Sequence, residues 1–150
     1  MKVKTLVLML MAGSLLAFRI ALAAAMPVQT AGDIRYVSGG IGSDEVAAIK
    51  EQAGNYSLVL EFAERAGKGE RYIADVAVDI SGARGAPVLS VRTDGPFLLV
   101  ELPAGSYKVS ATYKGNTQSR VIQVGSGTTH AGWPWEAVGA EDEPVRAADE

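Results

Sequence analysis

A chain of 150 residues, 48% hydrophobic and 21% charged, is long enough for one self-sufficient core and short for two. It has no cysteine, which excludes disulfides, thiol catalysis and thiolate metal sites. Fourteen basic against seventeen acidic residues give a net charge of −3, without the clustered cations that a nucleic-acid surface requires.

The first 25 residues read as a cleavable export signal. Lys2 and Lys4 form a positive start, and residues 6–18 are apolar without a charge. That stretch falls well short of the roughly 20 residues needed to span a bilayer as a helix. Ala21-Leu22-Ala23 and Ala23-Ala24-Ala25 both offer small-x-small cleavage patterns, so the mature chain is expected to begin at residue 24 or 26, in a periplasm and off the membrane. Removing Lys2, Lys4 and Arg19 lowers the net charge from −3 to −6. Much of that acidity lies in residues 136–150, a segment poor in large apolar residues and expected to be a disordered tail.

Residues 26–55 are expected to be a loop and short helix packed on a sandwich formed by residues 56–135. Ile34-Arg35-Tyr36-Val37 suggests a brief strand. The glycine turn Ser38-Gly39-Gly40-Ile41-Gly42 follows. Ser43 is a suitable N-cap, and Asp44 and Glu45 complement the dipole of a helix over residues 44–53. Val46, Ile49 and Ala53 give that helix one apolar face, and Gly54-Asn55 ends it.

Strand patterns occupy the rest. Tyr56, Leu58, Leu60 and Phe62 alternate along residues 56–64. Tyr72, Ala74, Val76, Val78 and Ile80 alternate along residues 72–80, with Asp75 and Asp79 on the opposite face. Shorter strands are expected over 88–93 and 97–102. Tyr107, Val109, Ala111 and Tyr113 alternate with Lys108, Ser110, Thr112 and Lys114, marking a strand with one wet face. Gly115-Asn116 then reads as a two-residue hairpin turn into a strand over 118–124, and residues 128–135 as an edge strand. Short strands between regular turns predict a mainly β, antiparallel sandwich of about seven strands with a short N-terminal helix.

Val76-Ala-Val-Asp-Ile80, Val88-Leu-Ser-Val91, Asp94-Gly-Pro-Phe97 and Leu102-Pro-Ala-Gly-Ser-Tyr107 resemble the carboxypeptidase regulatory-like, transthyretin-like group of β-sandwich domains. The likeness covers about residues 70–125. The mature pattern as a whole is similar to small exported bacterial proteins. The resemblance implies an Ig-like or transthyretin-like sandwich and a noncatalytic module for structure, adhesion or binding. It implies no reaction and no cofactor. Some transthyretin-like relatives hydrolyse a purine-derived ring with several histidines and a C-terminal Ser-containing motif; this chain has one histidine and lacks that motif.

Candidate sites are few. The loop Gly39, Gly40, Gly42 before a helix suggests an anion cradle, but Asp44 and Glu45 stand where the anion would sit and no P-loop Lys follows. These five residues are instead the expected contact with an envelope protein. His130 lacks an acid nearby in sequence, and Asp75, Asp79 and Asp94 lack calcium-loop spacing, so neither catalysis nor a metal site is expected. Trp133 and Trp135, separated by Pro134, face one side of an extended segment. They either close the sandwich core or stack on a glycan, with Tyr113 as an accessory, and the glycan-binding module is the alternative function.

Overall fold

A computed structural model of the chain describes residues 25–137. Residues 1–24, most of the expected leader, and residues 138–150, most of the expected disordered tail, lie outside the described residues. Among the described residues the architecture is mainly β, with ten strands in two sheets and a short helix.

The first sheet has the order β1 (Gln29–Ala31), β2 (Ile34–Gly39), β7 (Phe97–Val100), β3 (Leu58–Ala66), β10 (Thr129–Glu136). A further strand, β4 (Gly69–Tyr72), pairs with the far end of β3. The second sheet runs β6 (Pro87–Arg92), β5 (Ala77–Gly82), β8 (Gly105–Tyr113), β9 (Asn116–Val124). The N-terminal segment contributes strands of its own: β2 is hydrogen-bonded to β7 inside the first sheet.

The two sheets face each other across one core. Leu58, Leu60, Phe62, Leu98 and Val100 meet Val78, Ile80, Val109, Ala111 and Ile122 there, as period-two alternation requires when one face is buried. A second apolar layer covers the outer face of the first sheet. The helix α1 (Ser43–Gln52) places Ile49 and Val46 on Val37, Val59, Phe97 and Leu99, and Met26 packs into the same cluster. This explains why Phe97–Val100 is buried along its whole length: both of its faces are covered. Among the described residues no helix is long and apolar enough to cross a membrane.

The expected strand over residues 72–80 is two strands in different sheets. Asp75 adopts φ 62, a left-handed conformation, and the chain passes there from β4 to β5. Buried positions change parity across it, from Ile73 to Val76, Val78 and Ile80, so Tyr72 points out rather than in. Asp75 and Asp79 therefore share no strand. The hairpin turn also differs. Tyr113 pairs with Asn116, so the two turn residues are Lys114 (φ 47) and Gly115 (φ 77), both left-handed as a type I′ turn demands.

The Leu102–Tyr107 segment closes on itself: the Tyr107 hydroxyl donates to the Pro103 carbonyl at 2.6 Å. Ser57 secures the strand end before it, with its hydroxyl donating to the Val100 carbonyl and accepting from the Leu102 N–H.

Candidate functional site

Two backbones meet where β2 ends. A Cβ built on Gly95 would lie 2.3 Å from the Gly39 carbonyl carbon, so the 93–96 loop presses directly on the β2 terminus. A Cβ on Gly40 would lie 2.5 Å from the Phe97 ring, and Gly40 (φ +101) and Gly42 (φ +84) take left-handed conformations that favour glycine. Ser38 fastens this contact, its hydroxyl accepting the Asp94 N–H at 2.8 Å.

The chain then enters α1, whose N-cap is Gly42 rather than Ser43. Ser43 is already inside the helix, and no side chain caps it; Glu45 instead ties down the loop before it. Its carboxylate reaches back to accept the N–H groups of Gly40 at 3.1 Å and Ile41 at 2.9 Å. These donors belong to the two residues before the N-cap, not to the N-cap N–H that a capping-box glutamate would take. The cradle that a phosphate would use is filled by the protein's own anion.

Gly39, Asp44 and Glu45 come together with Ser38, Ala47, Ala48, Glu51 and Asp94 around a groove of about 750 Å³, which the segment Ala25-Met26-Pro27 also lines. None of its four carboxylates takes part in the six ion pairs formed among the described residues. On the rim stands Ile41, 59% exposed between two left-handed glycines. Its position was legible as an apolar residue bracketed by glycines, yet the sequence reading passed over it.

Trp133 and Trp135 are core residues, 1% and 3% exposed, which removes them as stacking platforms for a glycan. Their register beside Phe62 and Glu64 on the parallel neighbour β3 turns both indoles inward. Trp135 packs against Phe62 and Tyr113, with ring centroids 6.2 and 5.8 Å away, and its N–H donates to the Asn116 carbonyl. The Arg120 guanidinium covers Trp133 at 4.4 Å.

The same strand is a poor site for strand addition, although its sequence suggests an open edge. The outward carbonyls of Gly132 and Pro134 are taken at 2.7 Å by Arg120 and Gln118 of β9, and Pro134 has no N–H to offer. His130 sits exposed on this edge, next to Val59 in register. Asp75 pairs with Arg92 at 3.0 Å, and Asp79 accepts from the Ser90 hydroxyl at 2.6 Å. Among the described residues no His, Asp and Glu side chains gather as a metal-ligand set.

A second polar cluster was missed. Glu64 continues the inward parity of Leu58, Leu60 and Phe62 and is 1% exposed at the end of the core. Arg71 from β4 donates to its carboxylate through Nε at 2.9 Å and through a second guanidinium nitrogen, and Lys114 from the opposite sheet lies 3.5 Å away. The Arg71 hydrogen bond holds the Glu64 carboxyl below its ordinary 4.5, against the opposing effect of burial, and Lys114 adds to the lowering. A folded-state value below the unfolded one contributes stability above the unfolded value, which is lost as pH falls through the folded value. The melting temperature of Glu64→Gln should therefore lie well below wild type at neutral pH, and the gap should narrow below about pH 4.5. A gap unchanged by acid would mean that the charge of Glu64 is not what holds the two sheets together there.

No protein-family model matches this chain, and no curated protein matches it.

Proposed function

We propose that the chain is an exported, noncatalytic module that acts through protein contacts in the cell envelope, built on a transthyretin-like sandwich of the carboxypeptidase regulatory-like type. The leader-like start supports export, and the closed Leu102–Tyr107 corner, with its tyrosine bonded back to the backbone, supports the sandwich type. The observation that carries the contact reading is Ile41. An isoleucine held out on a glycine-bracketed tip, beside a groove ringed by four carboxylates, suits a partner segment offering an apolar side chain next to Lys or Arg. The rigid seat of this tip on Gly39, Gly95 and Phe97 limits the ordering cost of docking.

Crosslinked capture from the native envelope fraction tests the reading, with wild type compared against Ile41→Asp and Asp44→Lys. One protein held by wild type and lost by both variants is the expected result. Both substitutions lie on the surface and should change stability by no more than about 0.5 kcal/mol. Equal capture by all three forms would dismiss this corner as the contact.

A further inference from the structure

At one border of the second sheet, β9 leaves a long backbone edge uncovered. Which of its groups point outward follows from the turn before it. Tyr113 and Asn116 close the Lys114-Gly115 turn as a hydrogen-bonded pair, so Asn116, Gln118, Arg120, Ile122 and Val124 direct their backbone groups to β8. Thr117, Ser119, Val121 and Gln123 direct theirs away from it. Among the described residues one of these outward groups is engaged: the Gln123 carbonyl accepts from the Thr129 hydroxyl at 3.3 Å. Sheet edges are ordinarily kept short, bulged, charged, interrupted by proline or covered, because bare ones invite another strand. The other edges follow that rule. The strands β1 and β4 span three and four residues, and β6 starts on Pro87 and shifts register against β5. The outward carbonyls of β10 are held by Gln118 and Arg120. By contrast β9 runs for nine residues without a proline. Its one charged side chain, Arg120, leans across to β10 instead of standing over the open edge. Val121, in the outward-facing set, is 67% exposed.

We propose that this edge pairs with the same edge of a second copy of the chain, antiparallel about a twofold axis at Ser119, so that two four-stranded sheets join into one. In that register Thr117 meets Val121 of the second copy and Ser119 meets its own equivalent, each pair exchanging two backbone hydrogen bonds. Only unengaged groups are used. An axis at Val121 would need the Gln123 carbonyl that Thr129 holds, and an axis at Thr117 would run the ladder into Gly115 of the turn. Charge permits the match as well. A twofold axis sets equivalent residues face to face, where like charges repel. Thr117, Ser119, Val121 and Gln123 on the solvent face carry none. On the core-side face Arg120 falls opposite Gln118 of the second copy, not opposite another arginine. The pairing also covers Val121, which the single chain leaves in water.

Sedimentation equilibrium of the whole chain from micromolar to millimolar concentration tests the pairing, together with amide hydrogen exchange along β9 read by NMR. The expected result is a monomer–dimer equilibrium in which the Thr117, Ser119 and Val121 amides exchange more slowly as concentration rises. Ser119→Lys and Ser119→Asp each set two like charges on the axis, and each should weaken the dimer about tenfold or more. An equimolar mixture of the two variants should recover it, which also shows that neither has merely unfolded. A wild-type chain that stays monomeric with freely exchanging β9 amides overturns the proposal. So does a dimer indifferent to both substitutions, which would use another surface. A monomer whose three amides are slow at every concentration would give the edge to another part of the same chain, and it overturns the second copy as the occupant.

Discussion

Trp133→Ala is expected to destabilise the protein by about 3–5 kcal/mol, the range for removing a large buried aromatic. Trp133 is 1% exposed and belongs to the core between the two sheets. Its loss opens a cavity that the facing β-strands, pinned by their ladders, cannot close. The Arg120 guanidinium would lose its aromatic face while keeping its bond to the Gly132 carbonyl. The indole N–H of Trp133 has no hydrogen-bond partner among the described residues, so the buried side chain carries a penalty of about 1–3 kcal/mol that phenylalanine would not. Trp133→Phe should accordingly cost far less than Trp133→Ala, since the lost N–H offsets part of the lost volume. Urea denaturation followed by far-UV circular dichroism measures both. Near-equal losses would mean that the indole is not packed as described, and an unchanged midpoint for Trp133→Ala would restore the exposed stacking role.

Gly95→Ala is the second large effect, although it adds a single methyl group. The new Cβ would stand 2.3 Å from two backbone atoms of Gly39, its carbonyl carbon and oxygen. Backbone in a sheet cannot swing aside as a flexible side chain would. Overpacking costs about 1–3 kcal/mol, and this site belongs at the upper end because the obstacle is the main chain of Gly39 rather than a flexible side chain. The relief is displacement of the 93–96 loop, which moves Asp94 away from Ser38 and disturbs the groove. Gly125→Ala is the matched control, with nothing within 4 Å of the added atom and no left-handed φ, and it should stay within about 0.5 kcal/mol of wild type. Thermal melts of the two variants compare them directly. Equal melting temperatures would refute the close approach of β2 and the 93–96 loop.

Local pattern carried much of the fold. Tyr107, Val109 and Ala111 alternate with polar residues, and β8 lies where that alternation puts it. The α1 face of Val46 and Ile49 was readable from three-residue spacing, and the shared face of both tryptophans from their separation by one residue, whereas their burial came only with the fold. The same rule contained Glu64, since a carboxylate on the inward parity of an apolar strand must find cations once buried.

Other features were decided only in three dimensions. An alternating run does not show a parity change, so the sheet switch at Asp75 was hidden behind Tyr72 and Ala74, residues that suit either face. The β8–β9 register was equally hidden. Moving the turn from Gly115-Asn116 to Lys114-Gly115 slips the pairing by two residues, which leaves every side chain on its original face. Contacts across the strands choose between the two, among them the Ser110–Ser119 and Thr112–Thr117 hydroxyl pairs at 2.7 Å and the reach of Gln118 and Arg120 to β10. The parallel pairing of β10 with β3 joins segments some seventy residues apart, for which no local pattern exists. The groove is of the same kind: the N-terminal segment, one helix face and a distant loop meet there because Gly39 and Gly95 let two backbones touch. Alternation and helical spacing are properties of neighbours along the chain, and they set which faces are apolar. Which apolar faces meet, and which charges are thereby brought together, depends on pairing between distant strands.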